Sequence, residues 1–145
     1  MNIELIKDGV DYGIIGLLGL MSFMAFWFWI ERLLFYKGVD VKTYETKEEL
    51  EIALTNNINI ISTFGSNAPY IGLLGTVFGI IITFYTMGQS SDLDAKLIMT
   101  SLALALKATA MGLIVAIPSI IFYNHLARKI EVLLARWDIA QKVNS

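Results

Sequence analysis

The chain has no cysteine, which excludes disulfides and thiol chemistry and leaves the redox compartment open. It has one histidine, His125, and a lone imidazole does not make a metal site. Net charge is only −2, so no electrostatic case exists for nucleic acid as a partner. No nucleophile–base pair, phosphate-cradling loop or ligand cluster can be picked out, so no catalytic, cofactor or metal site is expected. Charge of either sign is missing from long stretches: residues 13–30 and 68–88 contain no Asp, Glu, Lys or Arg. What fills those stretches is apolar. Hydrophobic residues make up 56% of the 145 and mean hydropathy is positive, a composition of membrane proteins rather than of soluble domains this size. With three spans in such a chain, no separate catalytic domain is expected.

The 21 residues of 68–88 reach about 30 Å as a helix, the thickness of a bilayer's hydrocarbon core. A first span over 13–30 follows an acidic start rather than a basic one, so it reads as a retained helix and not as a signal peptide. Trp27, Trp29 and Tyr36 are amphipathic aromatics of the kind found where a helix leaves the hydrocarbon. A third span over 97–123 is interrupted by Lys107, and Pro118 inside it removes one backbone hydrogen bond and is expected to kink or loosen it. The fold class expected is therefore an all-α membrane protein with three transmembrane helices, the first and third extending into water.

The connecting segments are a 1–12 start, a polar 31–67 stretch, an 89–96 turn and a 124–145 helical tail. Within 31–67, Thr46 and Glu49 have the spacing of a capping box. The short helix it opens should end near Asn56 and Asn57. Residues 58–64 read as an approach segment, with Ser66 or Asn67 capping the second span and Pro69 in its first turn. Arg32, Lys37, Lys42 and Lys47 lie in 31–67, and Arg128, Lys129, Arg136 and Lys142 in the tail. The start holds only Lys7 and the turn only Lys96. The positive-inside rule then puts the start outside (periplasmic, in a bacterium) and the middle segment and tail in the cytoplasm. Glu4, Asp8 and Asp11 read as solvated surface charges, His125 as an interfacial polar residue, and Trp137 as packed on neighbouring helices.

Small residues in the spans are ordered. Gly72, Gly75, Thr76, Gly79 and Thr83 share one side of the second span, and Ala105, Thr109, Gly112, Ala116 and Ser119 one side of the third. Two readings fit such stripes. One is close helix packing, with threonine hydroxyls bonded to their own helix. In the other, Thr76 and Thr109, with Thr83, line a shared path, and the glycines and alanines face a lumen or a partner. These hydroxyls do not titrate near neutrality, so they can relay or hydrate but not carry a proton. Lys107 costs about 2.5–3.5 kcal/mol inside a span unless it finds water or a partner. It is expected at a wetted or protein-facing place, as a structural anchor or beside an ion path.

Two motifs carry a resemblance. Asn-Ala-Pro-Tyr-Ile-Gly-Leu-Leu-Gly-Thr-Val-Phe-Gly-Ile (67–80) and Ala-Leu-Lys-Ala-Thr-Ala-Met-Gly-Leu-Ile-Val-Ala-Ile-Pro (105–118) resemble the ExbB/TolQ/MotA proton-channel family, its ExbB branch above all. Tyr123, Asn124 and Arg128 fit the pattern that follows the proline. The resemblance implies a homo-oligomeric ring in the bacterial inner membrane, a pentamer by that likeness, among phospholipids and around transmembrane helices of ExbD. Such a complex uses the proton-motive force to drive TonB and outer-membrane transport, and ExbD supplies the titrating aspartate. Thr76 and Thr109 match the family's pore-facing threonines. Two departures stand out. Leu104 occupies the place where many relatives have a glutamate, with Lys107 one turn on, and 31–67 is much shorter than in better-known members. A TolQ-like subunit of the envelope machinery is the near alternative, and a passive scaffold the alternative from another class. A MotA-like stator would need a larger cytoplasmic part and usually a fourth span.

Overall fold

A computed structural model describes residues 3–89 and 94–144. Its helices are α1 (Ile3–Gly38), α2 (Lys47–Thr55), α3 (Ile58–Gly88) and α4 (Ala95–Val143), with a single 3-10 turn at Val41–Thr43. Among the described residues there is no strand, and α1, α3 and α4 are each long and apolar enough to cross a membrane. The all-helical, three-span architecture holds.

The three long helices pack as a bundle in which α3 and α4 share the most extensive contact and α1 lies along both. On α1 the buried residues Leu18, Met21, Ala25, Arg32 and Tyr36 recur at helical spacing, which gives one seam facing the bundle. Leu18 and Met21 meet Ala68, Val115 and Ala116 in a first core. A second core joins Tyr36, Leu50, Leu54, Ile58, Ile61, Leu126, Ile130 and Leu133 at the end where α2 sits. Outside these seams the spans present bulky apolar side chains such as Phe23, Phe26, Leu73, Phe84, Ile114 and Ile121 to their surroundings, as lipid-facing helices do.

Several boundaries differ from those expected. The second span does not begin at Ser66 or Asn67. Helix α3 starts at Ile58, behind Asn57 with its left-handed φ of 67°. Ile58, Ile61, Gly65 and Ala68 are all buried on one face, and that tertiary seam outweighs the local cap signal, leaving Pro69 inside the helix. At the other end α1 is already helical from Ile3, ten residues before the expected span. Helix α4 continues through Pro118 with no break in the helix. Of the 89–96 turn, residues 90–93 lie outside the described residues; Asp94 caps the amide of Lys96 at 3.0 Å.

The local signal at Thr46 does hold. Thr46 Oγ1 accepts the Glu49 amide at 3.1 Å, and α2 ends at Thr55 with Asn56 as its C-cap. The last carbonyls of a helix lack partners of their own, and α1 provides them. Arg32, 4% exposed, donates to the Ala53 carbonyl at 2.9 Å, and the Tyr36 hydroxyl donates to the Leu54 carbonyl at 2.5 Å. Trp137 Nε1 donates to the Tyr44 carbonyl at 3.1 Å, and Lys47 pairs with Asp138 at 2.8 Å. The hydrogen bond from Arg32 holds the Glu31 carboxyl below its ordinary range. Burial pushes the Tyr36 phenol up to about 12.

Candidate functional site

Polar side chains are scarce within the spans, so the few that are buried stand out. Thr76 on α3 is 5% exposed, and its Oγ1 lies 2.9 Å from the Ala105 carbonyl and 2.5 Å from Thr109 Oγ1 on α4. The contact to its own Gly72 carbonyl, at 3.4 Å, is long for a hydroxyl bond. Thr109 is only half-buried, so one flank of the pair is open to whatever lies beside α4. The two threonines singled out by spacing are thus brought together across the α3–α4 contact.

Glycine makes this approach possible. A Cβ on Gly72 would come 2.6 Å from the Ala108 carbonyl oxygen and 3.0 Å from the Gly112 Cα; one on Gly112 would come 2.6 Å from the Ala68 carbonyl oxygen. Only hydrogen fits between the backbones there. Gly75 meets Ala108 and Ile14, and Gly79 meets Ala105, while Ala105 and Ala116 are 8% and 2% exposed. Gly72, Gly75, Gly79, Ala105, Gly112 and Ala116, expected to face a lumen or a partner, lie within this chain against its other helices. Thr83 also stands apart from the pair: its Oγ1 donates to the Gly79 carbonyl, four residues back, at 2.8 Å. Ser119 does the same to Val115 at 2.8 Å.

The arrangement can do one chemical thing that separate hydroxyls cannot. Each threonine has one proton to donate and can accept as well, and either oxygen can be the donor between Thr76 and Thr109. When Thr76 donates to the Ala105 carbonyl, Thr109 donates to Thr76 and offers a lone pair outward. When Thr76 donates to Thr109, the Thr109 proton is free to point outward. The pair can thus present an acceptor or a donor to a neighbouring group without moving the backbone.

Other singled-out residues fall elsewhere. Lys107 does not join the hydroxyl pair; it lines a cleft of about 240 Å³ with Lys7, Asp8 and Asp11 of α1. Those two aspartates are what sequence reasoning missed. The signal was present, since Asp8, Asp11, Ile14, Leu18 and Met21 step by 3, 3, 4 and 3 along the face that packs on the bundle. His125 accepts from Trp29 Nε1 at 3.2 Å, and Trp29 stacks on Phe122 with ring centroids 4.4 Å apart. Among the described residues no group of His, Cys, Asp or Glu could hold a metal ion.

With the bundle and the hydroxyl pair in place, comparison with known proteins identifies the class. Residues 27–139 match the MotA/TolQ/ExbB proton channel family, and the chain belongs to it. Among curated relatives, the biopolymer transport protein ExbB of Helicobacter pylori (strain J99) is 51% identical over 138 residues, covering 95% of each chain. The biopolymer transport protein ExbB of Aquifex aeolicus is 53% identical over 135 residues, covering 93% of this chain and 91% of the relative. The Tol-Pal system protein TolQ of Pseudomonas aeruginosa is 37% identical over 101 residues, covering 70% of this chain and 42% of its own. The chain is accordingly a multi-pass inner-membrane protein of ExbB type.

Proposed function

We propose that this chain is the ring-forming subunit of an ExbB-type motor, which with an ExbD-type partner converts the proton-motive force into motion of a TonB-type protein. The observation that carries the reading is the Thr76–Thr109 pair, two mutually bonded hydroxyls on α3 and α4, whose apolar stretches 68–88 and 97–123 contain no carboxylate. A protonated acid on the partner's helix would donate to Thr109 in one hydroxyl order. The ionised acid would accept from Thr109 in the other. Both states of the titrating group then find a matched hydrogen bond, and the pair eases each half of the cycle without taking the proton itself. Thr83, bonded to its own helix, serves as a lining residue rather than a relay.

The whole-chain coverage of the ExbB relatives, against partial coverage of the TolQ relative, favours an ExbB role over a TolQ-like one. Thr76→Val and Thr109→Val keep shape but remove the hydroxyl. Each variant should assemble with the partner and lose proton flux in vesicles that contain the complex. Parent-level flux in both variants would remove the relay role, and no flux in the parent under any gradient would leave a passive scaffold.

A further inference from the structure

The cleft between α1 and α4 has two positive side chains, Lys7 and Lys107, and two negative ones, Asp8 and Asp11, with Gly75 and Ala108 in its floor. Its depth is set by α3 and α4. Gly75 lies 13 residues before the end of α3 at Gly88, ~20 Å of helix. Lys107 lies 12 residues after Ala95 opens α4, ~18 Å of helix. The charges therefore sit alongside the apolar layer of α3 and α4, not at its rim. They reach that level because α1 is helical from Ile3 and carries its seam past the expected end of the span. The four formal charges sum to zero, and a cavity of about 240 Å³ has room for several bridging waters.

We infer that Asp8 and Asp11 are the counter-charges of Lys107, and that the cluster is a charge lock holding the first third of α1 against α3 and α4. Packing alone is weak in that third. Adding a Cβ at Gly9, Gly13 or Gly16 would meet nothing within 4 Å, and above Leu18 no residue of α1 is fully buried. Asp8, Asp11 and Lys107 are exposed on the isolated chain, and opposite charges sharing a cleft at the level of the apolar layer attract more strongly there than they would in bulk water. The lock also bears on the hydroxyl site. Gly75 and Ala108, which floor the cleft, are the chain neighbours of Thr76 and Thr109, so α1 forms the wall behind the pair. Lys107 is on this account a positioning residue.

The test uses the full chain purified with its partner. Lys107→Met and the double variant Asp8→Asn/Asp11→Asn should each lower the thermal unfolding midpoint by several degrees, and Lys107→Arg should keep it at the parent value. Lys107→Glu alone should lower it most, and adding Asp11→Lys to that variant should recover most of the loss, since the cluster again sums to zero. A swap whose two losses add rather than cancel overturns the lock, as does a parent-like midpoint in Lys107→Met. The midpoint stands apart from the proposed proton path. Flux is the arm that rests on that path: it should fall in Lys107→Met and return in the swap. Coupled midpoints together with normal flux in Thr76→Val and Thr109→Val would keep the lock and reject the relay.

Discussion

Thr76 and Thr83 are the same residue on the same helix, two turns apart, yet only one of them reaches across to α4. Thr83 bonds back to Gly79 at 2.8 Å, while Thr76 bonds to the Ala105 carbonyl at 2.9 Å and to Thr109. The neighbours decide the difference. Beside Thr76, Gly72 and Gly112 bring the two backbones close enough for a hydroxyl to span the gap. It follows that Gly72→Ala or Gly112→Ala, which sets a methyl against a carbonyl oxygen at 2.6 Å, should destabilise the bundle by about 1–3 kcal/mol through forced separation. Gly16→Ala, with nothing within 4 Å, should leave the unfolding midpoint of the purified protein unchanged. At this scale the sequence was half legible. Helical spacing put Thr76 and Thr109 on their proper faces. It could not tell a face that looks outward from one pressed on another helix, because both require small residues.

Helix α2 shows how an element of nine residues is kept in place. It is too short to be stable alone, and its last carbonyls are taken by Arg32 and Tyr36 of α1. The Tyr36 phenol, raised by burial from 10.0 to about 12, gives this docking a pH dependence. Below about pH 10 the folded and unfolded chains both keep the proton, and the bond to the Leu54 carbonyl contributes in full. As pH rises from 10 towards 12 the unfolded chain releases its proton before the folded one does, so stability falls. An alkaline titration of unfolding should show this loss in the parent and a smaller one in Tyr36→Phe. The cap at Thr46 was readable because its signature lies within one turn of helix. The start of α3 was not: Ser66, Asn67 and Pro69 mimic a helix opening, and only the distant partners of Ile58 and Ile61 overrule it.

For the molecule as a whole, two uncharged stretches and a third interrupted only by Lys107 sufficed to define the spans, since a helix satisfies its own backbone in lipid. What composition did not disclose was the staggering of the helices. That comes from contacts such as Trp29 with His125 at one end and from the charged cleft at the other. Orientation can be read directly, because a chain without cysteine gives no background to a thiol reagent. Asn56→Cys and Gln89→Cys replace exposed residues on opposite sides of the bundle. In intact spheroplasts an impermeant maleimide should label Gln89→Cys and reach Asn56→Cys only once the membrane is opened. The reverse pattern would invert the topology set by the lysine and arginine distribution.

The unbroken run of α4 also sets how displacement travels. Thr109 and Asp138 ride on one rod of 49 residues, separated along it by ~44 Å. Each degree by which the rod leans at the hydroxyl pair carries its far end sideways by ~0.8 Å. Because Trp137 and Asp138 grip the segment around α2, a tilt of the rod at the threonines would carry that segment with it.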